Sequence, residues 1–417
     1  MTDRYFDNFM LDYVHEEAAV HAKGAEEGEE GKTDGDNSLL NLLSLPYVTL
    51  SEKLKTRALD LKQTIVAETW ESTGKNIEDF SLYTGTLGTA FLLFKSYQVT
   101  NNKSDLDLCS EIIKACDSAS LGSRDVSFLL GRVGVCALGA VVAKHRNNVQ
   151  MVDYYLTQFR EIKINEDVPD EFLRGRAGYL WACLFLNKNL GDQTIPSTQT
   201  NAVVDKIVKH GRKLGANTNC PLMFEYAGER YWGAAHGLAG VMYVLMHFEL
   251  SPDVLMDVKN TLKYMVNNRF PSGNYPRDEE KKTDELVYWC HGASGVCLTL
   301  VKAAQVYEDK EFLEAALDAA NVVWTRGLLK KVGICHGISG NAYVFLSLYR
   351  MTGDVEFLHK AKAFACFLLD RAHKLISDGQ MHGGDTPYSL FEGIGGMCYL
   401  FFDMADPTNA RFPAYEI

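Results

Sequence analysis

No stretch of this chain approaches the roughly 18 consecutive apolar residues that a membrane span requires. Even the run from Val133 to Ala143 follows Arg132 and is interrupted by Gly134 and Gly139, which disfavours a transmembrane receptor. The opening residues Met1, Thr2, Asp3 and Arg4 lack the basic-then-apolar order of a secretory leader, so a reducing compartment is expected. Positive charge is also in deficit: 42 Lys and Arg face 54 Asp and Glu, a net charge of -12. That balance argues against nucleic acid or an anionic membrane as the main partner. No Gly-rich loop ends in Lys-Ser/Thr, and the carboxylates Glu171 and Glu392 form no obvious glycosidase pair, so phosphoryl and glycosyl chemistry are set aside. Few runs alternate β-branched residues with period two, and the fold is expected to be all-α.

What the chain does contain is ten cysteines in 417 residues. In a reducing compartment these are free thiols or metal ligands, and Cys116, Cys183, Cys297 and Cys366, set among helical apolar residues, read as core filling. The length exceeds the usual domain size, but closed helical barrels run this long as one unit. Between Glu16 and Asn37 the composition shifts to Glu, Gly, Ala and Asp, too little apolar material to offset the entropy of ordering. The expected organisation is an N-terminal arm over 1–45, with an acidic disordered segment at about 16–37, followed by one domain over 46–417.

A Gly-x-x-Gly element leading into an apolar run recurs seven times: Gly85/Gly88, Gly131/Gly134, Gly175/Gly178, Gly237/Gly240, Gly292/Gly295, Gly337/Gly340 and Gly393/Gly396. The first glycines are 46, 44, 62, 55, 45 and 56 residues apart, room each time for two helices and their connections. Glycine inside a helix costs about 1 kcal/mol relative to alanine, so its recurrence demands a reason, and close approach of helix N-termini around a shared centre supplies one. The last repeat is as apolar as the others and lacks the polar cap of an open solenoid. A closed seven-fold α/α toroid, a double ring of helical hairpins, is therefore expected, with the glycine-bearing helices inside and their N-termini gathered at one mouth.

Cys-His-Gly occurs twice at the same phase of its repeat, as Cys290-His291-Gly292 and Cys335-His336-Gly337. The ring places both cysteines at one mouth, where two thiolates and one or two imidazoles form the soft donor set that zinc prefers. Two Cys-His pairs admit a four-ligand structural zinc, or buried residues without metal. Three protein ligands with an open fourth position would instead make a catalytic zinc, on which an exogenous thiol becomes a nucleophile near neutral pH. A third histidine, in Ala235-His236-Gly237, shares the phase but lacks the cysteine; it reads either as a helix cap or as a proton donor and acceptor.

The strings MFEYAGERYWGAAHGLAG, FPSGNYP, WCHGASGV, GLLKKVGICHGISGNAY, DTPYSLFEGIGG and ARFPAYEI are similar to those of the eukaryotic LanC-like proteins, of plant type, relatives of the bacterial lanthionine synthetase C cyclases. The resemblance covers nearly the whole chain. It implies a seven-fold toroid with zinc held by Cys290, Cys335 and His336, His291 turning away from the metal. It further implies binding of glutathione through Lys331 and the segment His382, Gly383, Gly384 and Asp385, and its addition to dehydroalanine or dehydrobutyrine residues in proteins or peptides. His236 is then the acid/base group, with His291 next in line. Departures from the bacterial pattern are His291 in place of Tyr, Leu286 in place of Arg and Glu171 in place of Asp; cyclase activity itself is not carried over. His382 stands where animal members commonly have Arg, and one residue is missing after Lys331. A non-catalytic alternative is a zinc- and glutathione-binding adaptor for signalling proteins, and thiol prenylation is a runner-up chemistry that lacks its aspartate ligand. The expected location is cytoplasmic, with peripheral plasma-membrane association or a nuclear pool as variants.

Overall fold

The computed structural model describes residues 4–10, 12–13 and 34–417. Among them are fifteen α-helices, with isolated bridges but no strand, and no helix is long and apolar enough to cross a membrane. The helices are α1 (Asp34–Ser44), α2 (Tyr47–Val66, extended by a π-helical turn over Ala67–Glu71), α3 (Thr86–Thr100), α4 (Lys103–Ala119), α5 (Arg132–His145), α6 (Val149–Glu161), α7 (Arg176–Leu190) and α8 (Ser197–Gly215). They continue as α9 (Leu238–Leu245), α10 (Pro252–Asn267), α11 (Ala293–Tyr307), α12 (Lys310–Arg326), α13 (Ile338–Thr352), α14 (Val355–Ser377) and α15 (Ile394–Asp403). Of the segment expected to be disordered, 16–33 lies outside the described residues. Residues 34–37 do not continue it, because the backbone there is already the first turn of α1.

Burial sorts the helices into two layers. Every residue of α9 is buried, as befits a helix apolar all round, whereas α6 buries only Tyr155 and Phe159 and turns its polar face outward. The odd-numbered helices from α3 to α15 form the inner ring and each contacts the next, α15 returning to α3. Outer partners follow their inner helices along the chain in six pairs. The seventh differs from a sequential hairpin: the outer partner of α15 is α2, so the first long helix and the last are held against each other and the ring closes non-locally.

All seven first glycines of the Gly-x-x-Gly elements are N-caps of inner helices. The second glycine of each is packed against the carbonyl of the residue six positions earlier: Gly295 against Trp289 and Gly340 against Ile334, for example. A side chain at either place would collide with backbone, which explains a helix-weakening residue at every repeat.

The final segment, residues 404–417, turns back into the ring and fills its centre. Phe412 and Tyr415 are fully buried; the Trp181 indole donates to the Tyr415 carbonyl at 2.7 Å, and the Tyr415 and Thr299 hydroxyls are 2.9 Å apart. Phe412 stacks on Trp289 at 5.3 Å and Tyr415 on Tyr243 at 4.3 Å, so this plug forms the floor beneath the mouth.

Substitution of Gly340 by Ala is expected to cost more than about 2 kcal/mol through overpacking. Gly122→Ala, whose new methyl would meet nothing within 4 Å, is expected to stay within about 0.5 kcal/mol. Urea midpoints of the two variants check this, and equal midpoints would contradict it.

Candidate metal centre

The loops entering the inner helices are joined by backbone hydrogen bonds that run round the mouth. Leu82 and Tyr83 donate to the Leu129 carbonyl, Phe128 to Gly178, Leu173 to Ala235, Ala234 to Trp289, Trp289 to Cys335, Ile334 to Phe391, and Phe391 back to Tyr83, at 2.9–3.3 Å. Cys290 and Cys335 are members of this circuit, the Cys290 N–H also reaching the Cys335 carbonyl at 3.4 Å. Cys290 is set by a tight reversal over Val287 to Gly292, in which Gly292 has φ 98°, a left-handed conformation that favours glycine. Asn274, fully buried, clamps the reversal by donating to the Leu286 carbonyl at 3.1 Å and accepting from the Ala293 N–H at 2.8 Å.

Cys290, Cys335 and His336 are brought together, their ligand atoms all within 4.8 Å of one another. Burial would raise the pKa of the Cys335 thiol, but hydrogen bonds with Cys290 and His336 outweigh it and hold Cys335 well below the ordinary thiol range. Cys290, hydrogen-bonded to that sulfur and buried, is raised. Burial lowers His336, yet its hydrogen bond and charge pairing with Cys335 leave it raised overall. The cluster therefore favours a thiolate beside an imidazolium, a state in which a divalent cation can replace protons. Tyr83, stacked on Phe391 at 4.9 Å, hydrogen-bonds the Cys335 sulfur. Lys331 is near enough to act on both Cys290 and His336.

His291 is not part of the three-residue cluster. Burial, then the proximity of His236 and Arg277, push its pKa down to about 4, and its buried Nδ1 has no hydrogen-bond partner among the described residues. His236 lies beside it, both rings flanking Tyr231 at 5.7 and 5.4 Å. The His236 Nδ1 is 2.8 Å from a carboxylate oxygen of Glu171, which also accepts the N–H groups of Leu173 and Arg174 at 2.8 and 2.7 Å. With Nδ1 engaged, Nε2 is the nitrogen left for exchange. Tyr226 stacks on the His236 ring at 4.6 Å and 4°, fixing its plane from a turn in which Ala227 and Gly228 both have positive φ.

The remaining expected residues converge on the same side. Lys331 forms a parallel bridge with His382; Gly384, at φ 102°, donates its N–H to His382 Nδ1 at 3.0 Å; exposed Asp385 lies 3.6 Å from His382 Nε2. Gly383 connects them. Sequence reading missed Arg4, whose carbonyl accepts the Lys330 N–H at 2.9 Å and whose guanidinium pairs with Glu285 at 3.2 Å while hydrogen-bonding the Tyr288 hydroxyl. Tyr83, Tyr226 and Tyr231 were missed as well. A second acidic group, Glu229, Asp278 and Glu280, is accounted for structurally, because buried Asp278 already accepts from Arg277 and from the N–H groups of Glu280 and Lys281.

Fold and site together define a helical toroid that carries a soft-ligand cluster and a carboxylate-held histidine at one mouth. The chain belongs to the lanthionine synthetase C-like family: the model of the lanthionine synthetase C-like protein matches residues 76–417. It is 44% identical to the LanC-like protein GCL1 of Arabidopsis thaliana across 98% of this chain and 99% of that one. It is 36% identical to the glutathione S-transferase LANCL1 of Danio rerio, across 81% and 85% of the two chains. The solved structure of nisin cyclase shares the fold with a TM-score of 0.65 at 16% identity, covering 84% of this chain and 94% of its own.

Glu171→Ala removes the acceptor of the Arg174 N–H and of the His236 Nδ1–H, while the Leu173 N–H keeps the Ala235 carbonyl, and is expected to cost about 1–3 kcal/mol. Glu171→Gln, which keeps an acceptor oxygen, should lose less than half as much in chemical denaturation; equal losses would contradict the assigned hydrogen bonds.

Proposed function

We propose that this protein binds one zinc ion through Cys290, Cys335 and His336 and adds the thiol of glutathione to dehydroalanine or dehydrobutyrine residues of proteins. One observation carries the reading: a two-sulfur, one-nitrogen cluster and the His236–Glu171 pair open on the same mouth. The donor set fits zinc, with soft buried thiols and an imidazole close enough to share one ion. The relative named as a glutathione S-transferase supports the choice of thiol.

When bound, zinc supplies a lowered pKa to a thiol that occupies its open position. The chain's residues do the rest. Lys331 and Arg4 offer positive charge to the carboxylates of glutathione, and the His382–Asp385 loop offers polar groups for its backbone. The thiol proton passes to His236 as the glutathione sulfur bonds to the β-carbon of the dehydro residue; the alkene electrons move onto its carbonyl, and the proton then returns from His236 to the α-carbon. His236 is the proton donor, its ring oriented by Glu171 and Tyr226. No oxidant or further reactant is consumed. His291, neutral through burial, adds no competing positive charge beside the thiol. The protein acts in the cytoplasm in this reading, where glutathione is reduced.

Metal analysis is expected to give one zinc per chain, lost in Cys335→Ala together with thermal stability. His236→Asn is expected to keep zinc and glutathione binding while thioether formation on a dehydroalanine peptide, followed by mass spectrometry, falls by about two to four powers of ten. Loss of metal from His236→Asn would make it a ligand; retention of both metal and rate would make it a helix cap. Absence of thioether with the intact zinc protein would leave the adaptor reading.

A further inference from the structure

The mouth extends outward from His236 on the side of the second and third repeats. There the loops entering α5 and α7 enclose a cleft of about 660 Å³ lined by both signs of charge: Arg124, Lys163 and Arg174 lie beside Asp125, Glu161 and Asp167. Its inner end is joined to the acid/base pair through Arg174, whose N–H donates to Glu171 at 2.7 Å, the same carboxylate that holds His236. The Arg174 carbonyl accepts from Val126 at 3.1 Å and its guanidinium pairs with Asp125 at 2.9 Å, so the two loops are locked together across the floor of the cleft.

We propose that this cleft is the docking site for an extended segment of the polypeptide that carries the reacting residue, with an acidic side chain of that segment received by Arg124 and Lys163. The inference rests on the proposed addition reaction and goes beyond it by assigning the path of the acceptor chain. A polypeptide cannot thread the ring, because Phe412 and Tyr415 fill its centre. It must lie across the mouth. The sixth- and seventh-repeat side is taken by Lys331 and the His382 loop, residues 4–6 run beside Leu328 and Lys330, and the turn at Tyr226 to Glu229 covers the fourth repeat. Among the described residues the second- and third-repeat side stays open, and the cleft there lies within the roughly 300–1,000 Å³ span of ligand sites. Its chemistry suits a peptide more than a small apolar molecule. Arg124 and Lys163 are exposed and without an ion-pair partner among the described residues, and Leu121 on the lip is 71% exposed, available for an apolar side chain further along the segment.

The test uses the zinc-loaded protein, glutathione and two acceptors: N-acetyl-dehydroalanine methyl ester, and a ten-residue dehydroalanine peptide with flanking glutamates. Arg124→Glu combined with Lys163→Glu, both at exposed positions, is expected to lower kcat/KM for the peptide relative to the ester by about tenfold, mainly through KM. A peptide with lysines in place of the glutamates should recover most of that loss. Leu121→Asp should lower the same ratio less. An equal fall for both acceptors, or no fall for either, overturns the cleft assignment. Failure of the unaltered protein to add glutathione even to the ester overturns the addition reaction, and the cleft assignment with it.

Discussion

The circuit of backbone hydrogen bonds around the mouth is the constraint on which the rest depends. Each bond contributes only about 0.5–1.5 kcal/mol net, but the circuit is closed, from Leu82 through Cys335 and Phe391 back to Tyr83, so no loop can shift without straining its neighbours. The second glycine of every repeat lets the loop sit directly over the first helical turn. Closing the circle requires α15 to meet both α3 and α2, which makes the site in the fifth and sixth repeats dependent on helices that end at Thr100 and Val66, far earlier in the sequence.

Rigidity of this kind suits the electrostatics it supports. Two cysteines and a histidine are held so close that they share protons, Cys335 favouring the thiolate and Cys290 donating to it. Confinement of like donors is costly without a cation, and metal binding recovers that cost as folding free energy. On neighbouring loops, Glu171 and Tyr226 fix the orientation of His236, which keeps the proposed proton donor apart from the proposed metal ligands.

Much of this was legible in the sequence because both signals were periodic. The glycine pairs announced seven repeats, and Cys-His-Gly at a common phase brought two cysteines and two histidines to one mouth, among which the family resemblance picked out Cys290, Cys335 and His336. The reason given for the glycines needed extension: besides neighbouring loops, as where Ser127 abuts Gly178, it is each loop's own carbonyl that leaves no room. Residues outside the period were invisible. Glu171 is 65 residues from His236 and looked unpaired; Arg4 reaches Glu285 over a separation of 281 residues; Tyr83 and Tyr226 sit in loops with no repeated pattern. The terminal ARFPAYEI string was recognised as a family signature, but nothing in its composition says that Phe412 and Tyr415 form the floor beneath Trp289. The first turn of α1 was hidden for a related reason: its charged, glycine-containing sequence reads as solvated, and α1 packs on α14, far along the chain.

X-ray absorption at the zinc edge, recorded on the purified protein before and after addition of glutathione, tests the central claim most directly. Two sulfur ligands and one nitrogen ligand with a light-atom fourth neighbour are expected, changing to three sulfurs and one nitrogen when glutathione binds. A spectrum that gains no sulfur, or that already shows four protein ligands including a second imidazole, would contradict it.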